Sequence, residues 1–310
     1  MKFAIFAAGG VGGYFGGRLA QAEHDVTFIA RGEHLEAIRE TGLRVDSIDG
    51  DFVIQPAKAT DDPDSVGAVD VLLVAVKAWQ MEEAIEQMKF LVGTTTVIIP
   101  LLNGVEAPEQ LSAAFGSECV LGGLCRISSF VAEPGRIQHV GMKPYIAFGE
   151  LDNEKSERVS ALQKIFAEIP DIVADVPDDI HVAMWEKFIF ICALSGVGAV
   201  TRQVVGVYRD IPETRAMLYL ALKEAFKVGK KRGVALPKNF ADVMLDRIDN
   251  LPDEMLASMQ KDVMDGRPSE LESQNGAVVR MGRELGLPTP THDFIYASLL
   301  PMELKAQNKS

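Results

Sequence analysis

A dense run of glycines lies near the N-terminus, directly after a short apolar segment. Residues 3–17 read FAIFAAGGVGGYFGG, and a second apolar segment follows at residues 25–30. An apolar strand that enters a glycine turn, then a helix, then a second strand is the start of a nucleotide-binding α/β sheet. This arrangement restricts the possible folds of the first part of the chain more than any other feature of the sequence.

The glycine spacing predicts a dinucleotide site. Ala7 to Gly12 follow the pattern A-x-G-x-x-G, in which the central glycine lets the backbone approach a pyrophosphate and the last lets the helix pack on the strand. The helix N-terminus would add amides and a partial positive charge. Ala7 stands where the turn normally has glycine, and a glycine turn that serves packing alone is the alternative. The predicted cofactor-binding residues of this turn are Ala7, Ala8, Gly9, Gly10, Val11 and Gly12.

Two halves of the chain differ in their periodicity. Up to residue 176, β-rich apolar runs alternate with helical patterns, which predicts strands at residues 2–7, 25–30, 70–76 and 95–101 of a parallel sheet. Four further short strands, at residues 119–124, 126–131, 136–140 and 145–149, are predicted to form an antiparallel appendage to that sheet. Beyond residue 177 the pattern is helical. We therefore expect an α/β protein with a Rossmann-type dinucleotide-binding domain at 1–176 and an all-α domain at 177–310.

The predicted helices of the second domain begin with an apolar stretch at residues 180–195. The others are predicted at residues 214–231, 237–250, 270–285 and 291–305.

Charge and cysteine content narrow the function classes. The chain has 31 Lys and Arg against 44 Asp and Glu, a net charge of −13, which disfavours nucleic acid and anionic membranes as partners. Three cysteines without a C-x-x-C pair fit neither a disulfide framework nor a zinc cluster. The five histidines have no metal-ligand spacing, so no metal is predicted. We expect a protein of the reducing cytoplasm.

Neither apolar segment of the chain is predicted to be a membrane or export signal. The N-terminal stretch imitates a secretory signal, but its glycine density disfavours an insertion helix. Residues 188–200 are interrupted by Ser195, Gly196 and Gly198 and are shorter than the ~20 residues that span a bilayer.

Arg31 follows the second predicted strand. NAD-specific sites usually have an acidic residue there for the ribose hydroxyl, whereas an arginine can pair with the 2′-phosphate of NADP. Arg31 therefore favours NADP, and a solvated arginine at a strand end is the alternative.

The sequence resembles the ketopantoate reductase family, NADPH-dependent enzymes of pantothenate synthesis. Five segments occur in the family's order and at its approximate spacing, over nearly the whole chain: AAGGVGGYFGG at 7–17, VAVKAWQ at 74–80, LLNGVE at 101–106, WEKF at 185–188 and SMQKDVMDGRPSELESQNG at 258–276. The resemblance implies a Rossmann-type domain, an all-α domain and a substrate cleft between them.

Three residues follow strands of the predicted parallel sheet, whose carboxyl ends bind ligands in open α/β folds. The resemblance implies that Lys77 and Gln80 lie near the adenosine phosphate of the cofactor and that Asn103 lies between nicotinamide and substrate. A loop lysine and an Asn-Gly turn are the alternatives.

Lys187 lies within an apolar helical run and is the predicted proton donor. A lysine whose pKa is lowered by desolvation can act as a general acid near neutral pH, and the family's matching lysine has this role. Ile191 and Ser195 share its helix face at i+4 and i+8, and both are predicted to contact the substrate. The family usually has asparagines at these two positions, so the departure leaves the substrate open. The alternative for Lys187 is a surface lysine with a packed stem.

Two residues near the C-terminus complete the predicted site. The resemblance implies that Glu270 is catalytic and that Ser258 contacts the substrate. Glu270 opens a predicted helix for which Ser269 and Glu272 form a capping box, so a helix-dipole role is the alternative.

Together with these residues, the resemblance implies reduction of a 2-oxo acid by NADPH, with 2-dehydropantoate (ketopantoate) as first candidate. The alternatives are a 2-oxo acid with a more apolar side chain, as Ile191 suggests, and a non-catalytic NADP-binding or sensing protein, against which Lys187, Asn103 and Glu270 argue together. The predicted partner is a small-molecule substrate, with a homodimer left open.

Overall fold

A computed structural model describes residues 1–308 of the chain. The chain divides into two compact units, of which the first comprises Met1–Leu102 and Glu106–Ile180. The second comprises Asn103–Val105 and the chain from His181 onward. The helical unit therefore includes a short segment far upstream of residue 176. Each unit has its own apolar core.

Within residues 1–308 the first unit contains ten strands. In chain order they are β1 (Lys2–Phe6), β2 (Asp25–Ile29), β3 (Leu43–Ser47), β4 (Phe52–Ile54), β5 (Lys58–Thr60), β6 (Val71–Val74), β7 (Val97–Pro100), β8 (Leu121–Glu133), β9 (Arg136–Glu150) and β10 (Val173–Asp175).

The described residues also form twelve α-helices. In chain order they are α1 (Gly10–Gln21), α2 (Gly32–Thr41), α3 (Met81–Met88), α4 (Ala107–Phe115), α5 (Glu157–Glu168), α6 (Ile180–Thr201), α7 (Val205–Asp210), α8 (Pro212–Lys231), α9 (Phe240–Asp249), α10 (Ser258–Met264), α11 (Ala277–Glu284) and α12 (Pro290–Gln307).

The first sheet is parallel, in the order β5-β2-β1-β6-β7. Strands β1, β6 and β7 are almost continuously apolar and buried, as expected for strands covered on both faces. The four strands predicted in this region are β1, β2, β6 and β7. The short strand β5 was not predicted, because it is partly exposed and lacks an apolar run.

Helix α1 packs between the first sheet and a second one, which explains its glycine content. A Cβ on Gly16 would stand 2.5 Å from Ile5 Cγ1 of β1, whereas a Cβ on Gly13 would stand 2.8 Å from Ile137 Cγ1 of β9. Each distance is shorter than carbon atoms tolerate. Glycines on two faces of α1 therefore let both sheets approach the helix.

The second sheet corrects a prediction. Apart from one parallel bridge between Val120 and Ile98 of β7, residues 119–149 do not pair with the parallel sheet. They form the long antiparallel hairpin β8–β9 of a second sheet, in the order β10-β9-β3-β4 with β8 beside β9. The hairpin contains two strands rather than four. Register shifts near Ser128 and a left-handed Gly141 interrupt the apolar alternation while the strands continue.

Helix α6 forms the core of the second unit. It continues to Thr201, beyond the predicted end at Ser195, because its glycines fill a packing role. A Cβ on Gly196 would stand 2.6 Å from Asn275 Nδ2, and one on Gly198 would stand 2.4 Å from Gln260 Oε1. By length and composition α6 could cross a membrane, but 67% of its most apolar window is buried in the protein, which is typical of a core helix.

The predicted helix at 270–285 is also corrected. A π-helix covers Glu272–Gly276 and leads directly into α11. Ser269 and Glu272 do not form a capping box: the Ser269 hydroxyl donates to Glu303 Oε2 at 2.5 Å, while Glu272 Oε2 accepts from Tyr296 at 2.7 Å. Two short helices, α7 and α10, were not predicted.

Candidate active site

The predicted phosphate turn has the backbone of a dinucleotide site. Ala7 follows β1 with a φ of +75°, so an alanine adopts the left-handed conformation that the motif normally gives to glycine. The Ala8 amide donates to Ile29 O at 3.0 Å, and α1 begins at Gly10 after Gly9 in an extended conformation. The turn therefore presents the first amides of α1 beyond β1.

Packing requires two glycines of this turn but not the third. A Cβ on Gly10 would stand 2.4 Å from Ser129 O, and one on Gly12 would stand 2.1 Å from Ala7 O, so both are fixed by packing. By contrast, apart from Gly9 and the chain next to it, no atom of the described residues lies within 4 Å of the Cβ position at Gly9. Packing does not require a glycine at position 9, whereas close approach of a pyrophosphate does. The open space at Gly9 suits a dinucleotide better than a purely structural turn.

Arg31 lies directly after β2 and precedes α2. Its Nη2 donates to Glu83 Oε1 at 3.0 Å and to Gln87 Oε1 at 2.6 Å, both on α3. The guanidinium is more than half exposed, as is Glu83. Arg31 is therefore accessible to a phosphate while it shares its charge with a carboxylate.

Lys77 and Gln80 follow β6. The Gln80 Oε1 accepts from the backbone amide of Lys77 at 3.1 Å, which closes a short 3-10 turn over Ala78–Gln80. The Lys77 ammonium lies 5.7 Å from the centre of the Trp79 ring, which is 43% exposed. Gln80 thus fixes the turn that carries Lys77, whereas contact of either residue with a cofactor stays a prediction.

The second unit brings together two of the predicted residues. Asn103 Nδ2 donates to Glu270 Oε2 at 2.7 Å, although the two residues are 167 positions apart. Glu270 is only 4% exposed, so its carboxylate relies on this amide as a hydrogen-bond donor. Gly104, with a φ of +101°, brings the 103–105 segment against Ser273.

Helix α6 carries Lys187, Ile191 and Ser195 as predicted, but the Ser195 hydroxyl already makes hydrogen bonds within the protein. Lys187 and Ile191 are partly buried, and Ser195 is 2% exposed. The Ser195 hydroxyl contacts Gln274 Oε1 at 2.7 Å and also the backbone carbonyl of Ile191. A hydroxyl has a single proton, so both of these acceptors compete for it.

Sequence reasoning missed Gln274 and Asn275, which lie in the π-helix. Asn275 Nδ2 donates to Cys192 O at 3.1 Å and to His292 Nδ1 at 3.0 Å, while His292 Nε2 donates to Ala221 O at 3.0 Å. Burial lowers the pKa of His292, so the ring is neutral near pH 7. The two amides thus fix the π-helix to α6. The only signal was a Gln-Asn-Gly run inside a predicted helix.

The remaining predictions concern Ser258, metal binding and the cysteines. Ser258 is the first residue of α10 and is exposed. Its contact with a substrate stays a prediction. Among residues 1–308, no group of three or more His, Cys, Asp or Glu side chains is arranged to hold a metal ion. The three cysteines are buried free thiols.

Comparison with known proteins identifies the family. The sequence profile of ketopantoate reductase PanE/ApbA matches residues 3–153, and that of the ketopantoate reductase PanE/ApbA C-terminal domain matches residues 179–303. The chain belongs to the ketopantoate reductase family. This membership confirms the resemblance found in the sequence and makes the chain a member of a family of oxidoreductases.

Individual relatives of this family member cover almost its full length. The uncharacterized oxidoreductase YkpB of Bacillus subtilis is 33% identical over 96% of this chain and 98% of its own. The 2-dehydropantoate 2-reductase of Mesorhizobium japonicum is 32% identical over 96% of both chains. The crystal structure of a PanE/ApbA family ketopantoate reductase from Ralstonia eutropha superposes with a TM-score of 0.90, at 30% identity, over 99% of this chain and 100% of that one. The predicted fold class is thereby confirmed.

Proposed function

We propose that the chain reduces a 2-oxo acid with NADPH, and that 2-dehydropantoate, which would become pantoate, is the first candidate substrate. Family membership and the Mesorhizobium relative support this reaction class. The observation that carries the proposal is the 2.7 Å hydrogen bond between Asn103 and Glu270. It joins two distant residues that the family resemblance assigns to the active site, and it gives the buried Glu270 carboxylate a hydrogen-bond donor.

The residues proposed for the pyrophosphate and the adenosine end of the cofactor lie in the first unit, whereas Asn103, proposed to lie between nicotinamide and substrate, belongs to the second. The backbone amides at Gly9 to Gly12 would bind the pyrophosphate, and Arg31 would pair with the 2′-phosphate. The open position at Gly9 supports the first assignment, and the exposed guanidinium supports the second. Lys77 and Gln80 are proposed to lie near the adenosine phosphate. Bound NADPH would supply a hydride to the carbonyl carbon of the substrate.

The proposed catalytic residues belong to the second unit. The Lys187 ammonium donates a proton to the carbonyl oxygen as that oxygen becomes a hydroxyl, because the alkoxide would otherwise form unprotonated. Asn103 and Glu270 hold one another through their hydrogen bond, which fixes the amide and the carboxylate before a substrate binds. Ser258 is proposed to contact the substrate. The protein thus contributes orientation and a proton, and the cofactor contributes the redox chemistry.

A second candidate substrate is a 2-oxo acid whose side chain is apolar. Two observations favour it: Ile191 presents a hydrocarbon on the face of Lys187, and the hydroxyl of Ser195 is shared between Gln274 and a backbone carbonyl. Neither side chain offers an unengaged donor to a substrate hydroxyl. For the same chain we propose a cytoplasmic location, which its buried free thiols support.

The test is the loss of NADPH absorbance with purified protein and four acids: 2-dehydropantoate, 3,3-dimethyl-2-oxobutyrate, 3-methyl-2-oxobutyrate and pyruvate. We expect turnover with at least one branched acid and much less with pyruvate. NADH in place of NADPH serves as the cofactor control. If NADPH binds but none of the acids accelerates its oxidation, the chain is a non-catalytic NADP-binding protein and the proposal is wrong.

A further inference from the structure

The guanidinium of Arg31 is held by two side chains of helix α3. Glu83 Oε1 and Gln87 Oε1 both accept from Arg31 Nη2, at 3.0 Å and 2.6 Å. Gln87 Nε2 in turn donates to Glu83 Oε1 at 3.0 Å, one helical turn away. Arg31 and Glu83 are 57% and 62% exposed, so this cluster lies at the surface where a ligand can reach it.

We propose that Glu83 sets the coenzyme preference of this chain by reducing its discrimination in favour of NADPH. The inference rests on the proposed function, since it assumes that Arg31 binds the 2′-phosphate. The Glu83 carboxylate lies 3.0 Å from the Arg31 guanidinium, so a phosphate that binds Arg31 also lies close to Glu83. Glu83 competes with the phosphate for Nη2, and its negative charge repels the phosphate dianion.

The same carboxylate does not oppose NADH. The 2′ position of NADH carries an uncharged hydroxyl, which can donate a hydrogen bond, and NAD-specific sites use an acidic residue as its acceptor. This chain has Arg31 where that acid usually stands, but α3 returns a carboxylate to the neighbourhood of the arginine. The two residues thus provide a cation for one coenzyme and an acceptor for the other.

Gln87 separates the effect of charge from that of positioning. It accepts the shorter of the two hydrogen bonds from Arg31 without adding charge, so it can hold the guanidinium in place alone. In Glu83→Gln, the new amide oxygen can still accept from Nη2, and only the negative charge is removed. A change in coenzyme preference in this variant therefore reports the charge of Glu83.

The test is a fluorescence titration of NADPH and NADH with wild type, Glu83→Gln and Glu82→Gln. Glu82 is the matched control, because it lies in the same exposed first turn of α3 and its replacement changes the net charge equally. We expect Glu83→Gln to tighten NADPH binding by about two- to fivefold, the upper part of the range for one exposed ion pair. NADH binding should change less than twofold in the same variant. Glu82→Gln should leave the ratio of the two dissociation constants unchanged.

Arg31→Ala, alone and combined with Glu83→Gln, distinguishes failure of this inference from failure of the proposed function. NADPH should bind more weakly to Arg31→Ala, and the added Glu83→Gln should then have little effect. If Arg31→Ala weakens NADPH binding but Glu83→Gln behaves like Glu82→Gln, only the role of Glu83 is refuted. If Arg31→Ala leaves NADPH binding unchanged, the 2′-phosphate assignment fails and the role of Glu83 fails with it.

Discussion

Replacement of Ile191 by asparagine should change which 2-oxo acid the protein prefers. Ile191 lies one helical turn beyond Lys187 on α6, and Ser195 lies one turn further. If a substrate hydroxyl lies against this face, it has no partner in the wild type, because Ile191 is apolar and Ser195 is only 2% exposed, with its proton donated to Gln274 or to the backbone. Asparagine at position 191 would supply the missing partner.

The size of the effect follows from the hydrogen bond that the substrate hydroxyl lacks in the wild type. Leaving a polar group unpaired on burial costs about 1–3 kcal/mol, which corresponds to roughly 5–150-fold in affinity. The wild type should therefore discriminate weakly between 2-dehydropantoate and 3,3-dimethyl-2-oxobutyrate, which lacks the 4-hydroxyl. In Ile191→Asn, kcat/KM for the hydroxylated acid should rise relative to that for the deoxy acid, because only the former gains a hydrogen bond.

The assay is the ratio of the two kcat/KM values in wild type, Ile191→Asn and Ile191→Val. Ile191→Val is the control that alters packing but adds no hydrogen-bonding group, so its ratio should match the wild type. Thermal denaturation of each variant verifies that α6 remains folded. An unchanged ratio in a folded Ile191→Asn protein would mean that residue 191 does not contact the substrate, and the apolar-acid alternative would lose its basis.

Three further predictions concern catalysis, the glycine turn and pH. Lys187→Ala should lose about 10²–10⁴-fold in turnover while its dissociation constant for NADPH is retained, since a general acid acts on the reaction rather than on cofactor binding; near-normal turnover would contradict this role. Ala7→Gly should raise stability by about 1 kcal/mol in thermal denaturation, because alanine at φ +75° is strained whereas glycine is not, and a lower melting temperature would show that this strain is absent. Because burial lowers the pKa of His292 from 6.5, the unfolded chain takes up a proton below that pH before the folded chain does. The free energy of unfolding should therefore fall by up to about 1.4 kcal/mol per pH unit below pH 6.5, and more steeply in wild type than in His292→Asn; parallel pH profiles would refute the buried neutral ring.

The sequence predicts the parallel sheet well because its signals are local. Each central strand is an apolar run followed by a turn, and the glycine pattern near Ala7 depends on residues adjacent in the chain. Strand β3 could not be found this way. It contains Asp46, which is 7% exposed and is paired with Arg44 and with Arg136 of β9. A buried aspartate argues against a strand until its distant arginine is known.

In the candidate site, too, residues could be predicted from the sequence but their contacts with distant residues could not. Family resemblance led to Asn103 and Glu270, but the bond between them depends on residues 167 positions apart and has no signature in either segment. The glycines of α6 were interpreted as interruptions because their packing partners, Gln260 and Asn275, lie on other helices. Gln274 was missed for the same reason, since its role depends on the position of Ser195.

In the π-helix at Glu272–Gly276, the number of residues matters as much as their identity. Its Gly276 amide donates to Leu271 O at 2.9 Å, five residues back, so the turn holds one residue more than an α-helical turn would. Deleting one residue there would rotate α11 by about 100° and shift it by about 1.5 Å relative to Glu270. The deletion would then displace buried side chains: either Val278 and Met281 on α11, or Glu270 and Gln274 before it. Homologues and engineered variants can therefore exchange side chains in this segment far more readily than they can shorten it.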